Sequence, residues 1–168
     1  ARREILLAAG YPEDYTSVHY ECNDCMDVGF IDGKMCKCMR RALTLAGYES
    51  SGVLKLIEKQ NFSTFDLKYY DGAERANMER ILARTKHYAA TFDGKHMRNL
   101  LFIGTTGLGK THLSSAIAKE VVENGHDVIY ESAQKIFSYF EAEKFGRTAQ
   151  GEDRTSRYMT CDLLIIDD

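Results

Sequence analysis

Gly104-Thr105-Thr106-Gly107-Leu108-Gly109-Lys110-Thr111 decides how the rest of the chain is read. It fits G-x-x-x-x-G-K-[ST], the phosphate-binding P-loop. Asn99-Leu100-Leu101-Phe102-Ile103 precedes it, a short apolar run that predicts a buried strand. Thr111 to Glu123 follows, with Leu113, Ala116, Ile117 and Val121 spaced for one helix face. A loop between a strand and a helix N-terminus meets unpaired N–H groups and the positive end of the helix dipole, which favour an anion. Glycines there allow positive φ and close approach to phosphate oxygens. Lys110 would place its charge on the β and γ phosphates, and Thr111 Oγ1 would help to hold Mg²⁺. The bland alternative, a glycine-rich turn that binds nothing, has to explain why motif, strand and helix agree.

A second stretch answers the first. In Cys161-Asp162-Leu163-Leu164-Ile165-Ile166-Asp167-Asp168 an apolar strand ends in acid, the Walker B pattern. The strand is expected to be buried, to deliver Asp167 beside the loop for Mg²⁺, directly through Thr111 or through water, and to set Asp168 where an attacking water is oriented. Cys161 reads as a small core residue, and a strand cap is the plainer reading of the two acids.

The 168 residues suffice for one medium domain and a small accessory module. With 44% hydrophobic and 28% charged residues, the composition is that of a globular protein. A net charge of −3 gives no global attraction to nucleic acid or anionic membrane. No apolar run approaches the roughly 18 residues that span a bilayer. No signal peptide opens the chain, so a cytoplasmic location is expected, with reduced thiols. The start without Met suggests part of a longer protein.

Cys22-x-x-Cys25 and Cys36-x-Cys38 flank Val28-Gly29-Phe30-Ile31-Asp32-Gly33-Lys34, which reads as a hairpin with Asp-Gly at its tip. An extended C-x-C turns both thiols to one side. Folding the hairpin would then join Cys22, Cys25, Cys36 and Cys38 in a closed tetrahedral site suited to structural zinc. Two disulfides, an iron–sulfur cluster or four neighbouring thiols are the alternatives. Lys34, Lys37, Arg40 and Arg41 crowd the second pair and would offset the charge of four thiolates or meet a nucleic-acid backbone.

The remaining pattern is coarser. Residues 1–9 predict a short helix ended by Gly10, 39–47 a helix stopped by Gly47, and 53–60 another. Phe62 to Asp66 breaks the pattern, so residues 1–60 read as a helical, zinc-binding module and 61–168 as the nucleotide domain. Residues 73–92 predict a long helix with Met78, Ile81, Leu82, Thr85, Tyr88 and Ala89 on one side. Asp127 to Tyr130 predicts a strand, Ser132 a cap for a helix to about Lys144, and 145–157, with Arg147, Arg154 and Arg157, a polar loop.

With these motifs in place, the chain resembles the DnaC/DnaI-type replicative helicase loaders, of the AAA+ class and the IstB-like ATP-binding group. The resemblance covers about Tyr20 to Asp168. It is most telling at Gly107-Leu108-Gly109-Lys110-Thr111-His112-Leu113 and Leu163-Leu164-Ile165-Ile166-Asp167-Asp168. It implies an α/β fold: the parallel three-layer core of a P-loop NTPase, truncated after the Walker B strand and preceded by a small Cys₄ zinc module and helices. It implies that Thr106, Gly107, Leu108, Gly109, Lys110, Thr111 and His112 wrap the phosphates of ATP. Lys110 and Asp168 would be catalytic, Asp167 would serve Mg²⁺, and Phe62 to Leu67 would border the adenine. The implied partners are a hexameric replicative DNA helicase, single-stranded DNA, and other copies through the AAA+ domain, with no membrane. The zinc module would engage the helicase. In such a class a further strand separates the Walker B strand from the P-loop strand; without it both would expose unpaired backbone groups. The class also uses a polar sensor and an arginine finger, and without these charge-stabilising groups ATP hydrolysis is expected to be poor. The competing functions are an IstB-type transposition helper, which a Cys₄ module disfavours, a zinc-dependent protein or nucleic-acid interaction module with a vestigial ATPase, and a small-molecule kinase.

Overall fold

The structure is a computed structural model and describes residues 2–12, 14–51, 53–146 and 154–167. Two compact units divide at Cys36 and Lys37. The helices that follow Cys36 pack with the nucleotide half.

The first unit holds α1 (Arg2–Ala8) and a hairpin of β1 (Phe30–Ile31) and β2 (Lys34–Met35), with Phe30 opposite Met35. The tip is the expected Asp-Gly pair. Asp32 and Gly33 both have positive φ, 48° and 76°, the sign a two-residue type I′ turn needs. Among its described residues, the only buried apolar side chains are Cys25 and Cys36.

The second unit begins with α2 (Lys37–Ser51) and α3 (Val53–Lys59). α2 runs through Gly47 rather than stopping there, since a single helical glycine costs only about 1 kcal/mol. Cys38 therefore lies in a helical turn, not in an extended C-x-C. A 3₁₀ turn (Leu67–Tyr69), capped by the Asp66 carboxylate on Lys68 N–H, leads into α4 (Gly72–Ala90). Met78, Thr85 and Ala89 are buried along one side of α4, as the spacing requires.

The central element is α5 (Lys110–Glu123). Its side chains Ile117, Ala118, Val121 and Val122 are the middle of a core that includes Ile57, Ala89, Phe92, Val128 and Tyr130. Gly125 ends it at φ 87°. A Cβ there would come within 2.6 Å of Lys37 Cβ, so glycine is needed for both turn and close approach. β3 (Val128–Ser132), α6 (Ala133–Lys144), α7 (Arg154–Thr160) and β4 (Leu163–Asp167) complete the unit. α6 is capped as expected, Ser132 Oγ accepting from Lys135 N–H. Part of the expected polar loop is α7; Arg147 lies outside the described residues.

β3 and β4 pair in parallel, Val128 with Leu163 through Ser132 with Asp167. The predicted strand Asn99–Ile103 does not form. It lies in no ladder, and Leu101 and Ile103 are more than four-fifths exposed. A cavity of about 570 Å³ lies between this stretch and β4, lined by Leu100, Phe102, Leu164 and Ile166 among others. Paired strands sit about 4.8 Å apart, too close to leave such a space. For the same reason β4 is half-buried rather than buried, with Ile166 exposed. Cys161 precedes β4 and is half-buried, its Sγ donating to Tyr158 O. No helix among the described residues is long and apolar enough to cross a membrane.

Candidate functional site

Gly109 caps α5 in the left-handed region, φ 79°. That conformation, open to glycine at no steric cost, turns the chain from the loop into the helix. Phe65 and Tyr70 press on the same point: a Cβ on Gly109 would lie 2.9 Å from Phe65 and 3.0 Å from the Tyr70 hydroxyl. The two rings stack, and Tyr70 donates to Leu108 O at 3.3 Å. Burial raises the Tyr70 pKa and keeps the donor protonated. Thr106, Gly107 and Leu108 are exposed, while Gly109 to His112 are half-buried. Lys110 Nζ donates to Gly104 O at 3.0 Å and Thr105 O at 3.1 Å, so its ammonium spans the loop.

His112 lies in the first turn of α5, yet its ring turns toward the segment before α4. Its Nε2 is 2.9 Å from Asn61 O and 3.3 Å from Thr64 Oγ1. A carbonyl can only accept, so Nε2 carries the hydrogen. The ring meets Phe65 edge-on at 5.1 Å. Phe62 to Leu67 thus lies against the loop's helix, with His112 as a pin.

Fifty-six residues separate Thr111 and Asp167 in sequence, yet Thr111 Oγ1 donates to Asp167 Oδ1 at 3.4 Å. The other carboxylate oxygen, Oδ2, accepts from the Tyr130 hydroxyl at 2.7 Å. Burial first, and then this hydrogen bond, push the Tyr130 phenol far above its usual range, so it is a donor. Tyr130 was not foreseen: a tyrosine in an apolar strand carries no motif, and only the β3–β4 register brings it to the acid. Asp168 lies outside the described residues.

The donor set fits a nucleotide phosphate and a hard divalent cation. A 14-residue helix begins at the loop, an ammonium lies on the loop's carbonyls, and a hydroxyl and a carboxylate offer oxygen ligands.

The cysteine cluster is also assembled. One ligand atom from each of Cys22, Cys25, Cys36 and Cys38 lies within 4.8 Å of the others. A tetrahedron with metal–sulfur bonds of about 2.3 Å has edges of about 3.8 Å, and Cys22 Sγ lies 3.8 Å from Cys36 Sγ. Gly29 N–H donates to Cys25 Sγ at 3.3 Å, and Asp27 takes the N–H groups of Glu21 and Cys22. None of the described cysteines is in a disulfide. Of the basic residues nearby, Arg40 faces Asp162 at 3.7 Å.

Loop, helix and acid-tipped strand together define a P-loop nucleotide-binding protein. Residues 39–168, most of the chain, match the family described as IstB-like ATP binding protein, and the chain belongs to that family. It is similar to the replicative helicase loader DnaC of Buchnera aphidicola subsp. Baizongia pistaciae (strain Bp), 28% identical over 119 residues, covering 70% of this chain and 46% of that protein. It is also similar to the chromosomal replication initiator protein DnaA of Campylobacter fetus subsp. fetus (strain 82-40), 38% identical over 80 residues, 48% of this chain and 18% of that protein. The chain spans less than half the length of these curated relatives.

Proposed function

We propose that the chain is the nucleotide-binding part of a replicative helicase loader, in which the ATP state controls loading of a hexameric DNA helicase on single-stranded DNA. The observation that carries the nucleotide reading is the approach of Thr111 to Asp167 at the head of α5. Support for the replication role is the similarity to DnaC. In this reading Thr106 to His112 bind the phosphates through backbone N–H groups and Lys110 carries the β and γ charge. Thr111 and Asp167 hold Mg²⁺, and Asp168 orients water. Mg²⁺ would supply charge neutralisation on the phosphates. His112 contributes its backbone to the cradle and its ring to the pin on Asn61. Residues 61–168 form the nucleotide domain, which would also meet other copies.

Zn²⁺ at Cys22, Cys25, Cys36 and Cys38 completes the proposal. The first unit has almost no apolar core, and units of that kind are held by metal or disulfides. Residues 1–60, with this module, would engage the helicase.

Lys110→Ala separates the nucleotide reading from the alternatives: the protein should lose ATP binding in a fluorescence titration, and unchanged affinity overturns the site. For the partner, capture of a hexameric replicative helicase should fail after zinc chelation. Capture that survives Cys22→Ser with Cys25→Ser removes the zinc module from that role. An IstB-type transposition helper is the second reading, favoured by the family match; stimulation of a transposase, with no capture of helicase, would select it.

A further inference from the structure

We propose that Tyr130 is a positioning residue for the metal half of the nucleotide site, sorting the two oxygens of Asp167. The inference rests on the nucleotide reading above and extends it to a residue that no motif marks.

The geometry begins with the sheet. In the β3–β4 ladder Tyr130 lies opposite Ile165, and Asp167 is two residues further along its strand. Side chains two apart on a strand share a face, so Tyr130, Ile165 and Asp167 point to the same side. Two residues advance a parallel strand by about 6.6 Å, a distance that a tyrosine covers and a serine or threonine does not. The Tyr130 hydroxyl accordingly reaches Asp167 Oδ2 at 2.7 Å. Its ring is buried in the core beside α5, at 7% exposure, so the donor is fixed in direction. Ser115 on α5 lies close to the same hydroxyl but outside hydrogen-bond geometry. The carboxylate is therefore the acceptor that Tyr130 serves.

The consequence is a division of labour within one carboxylate. Oδ2 is turned inward and satisfied by Tyr130. Oδ1 is left on the side of Thr111, 3.4 Å from its hydroxyl, where a cation between loop and strand would be held. Without the phenol, Asp167 would be free to rotate about its side-chain bonds and offer either oxygen. Residues that orient a ligand in this way change metal affinity by about 10–100-fold when removed.

The test is Tyr130→Phe in the whole chain, which keeps ring and volume and removes only the donor. N-methylanthraniloyl-ADP is titrated in EDTA and then with Mg²⁺ added in steps. The expected result is unchanged affinity in EDTA, with the Mg²⁺ concentration at half-effect raised about tenfold or more. A Mg²⁺ midpoint equal to that of the unaltered chain overturns the proposal. A purely structural role predicts equal losses with and without Mg²⁺, which overturns it as well. Ile165→Val, a second change on the same face, is titrated in parallel, and a Mg²⁺ midpoint moved as far by it as by Tyr130→Phe overturns the assignment to Tyr130. If Tyr130→Phe unfolds, Tyr130→Met, which also lacks the donor, is titrated in its place with the same expected and overturning results. Failure of the underlying reading looks different: the unaltered chain would bind no nucleotide at all.

Discussion

At the residue scale, Gly109 carries more constraint than any charged group in the loop. Its φ of 79° and the closeness of Phe65 and Tyr70 exclude a side chain on two independent grounds. Gly109→Ala should cost about 1–3 kcal/mol, the range for a non-glycine residue forced into the left-handed region, read as a fall in the urea midpoint with unchanged slope. Gly107 also has positive φ, but nothing lies within 4 Å of its Cβ position, so Gly107→Ala should cost less. The first constraint was legible as a glycine in a motif. Its second cause was not, because Phe65 and Tyr70 lie about forty residues away and only packing brings them to the loop. Tyr130 and the ring of His112 escaped sequence reading for the same reason: each acts on a residue far away in the chain.

At the element scale, α4, α5 and α6 were readable and their partners were not; α2 runs past its expected stop, and α7 replaces part of an expected loop. α4, α5 and α6 begin and end close to where periodicity and capping residues place them, since a helix satisfies its own backbone. The Ser132 cap on α6 is a local device, and Ser132→Ala should destabilise the chain by about 1 kcal/mol in thermal or urea unfolding. The larger loss expected from Gly125→Ala has a different origin, the Lys37 Cβ at the start of α2 meeting the new methyl at 2.6 Å. The stretch Asn99–Ile103 shows the limit. Its composition is that of a strand, but a strand needs hydrogen bonds from another strand, and the described residues place a cavity where a partner on the β4 side would be. Apolar character alone therefore misplaced it in the core. The Walker B strand behaves differently because β3 supplies its ladder.

At the scale of the whole molecule, two units stand on different physics. Lys37–Asp168 contains the buried cluster around α5, while the described residues of Ala1–Cys36 bury only two cysteines as apolar groups. The first unit should therefore depend on metal. Cys22→Ser with Cys25→Ser should reduce bound zinc from about one per chain to none by elemental analysis and make residues before Lys37 the first sites of limited proteolysis. Zinc retained by the double variant would break the four-sulfur assignment. What the sequence by itself determined was a set of features written in local chemistry: the glycine loop and its helix, the Asp-Gly hairpin between cysteine pairs, the acid at the end of an apolar strand. Tertiary structure decided which of these meet. It joined Thr111 to Asp167, gave Tyr130 its acceptor, turned His112 toward Asn61, and left Asn99–Ile103 out of the sheet. Local patterns fix a residue's own backbone, whereas contacts across the chain depend on which strands find partners, and that is settled only when the whole chain packs.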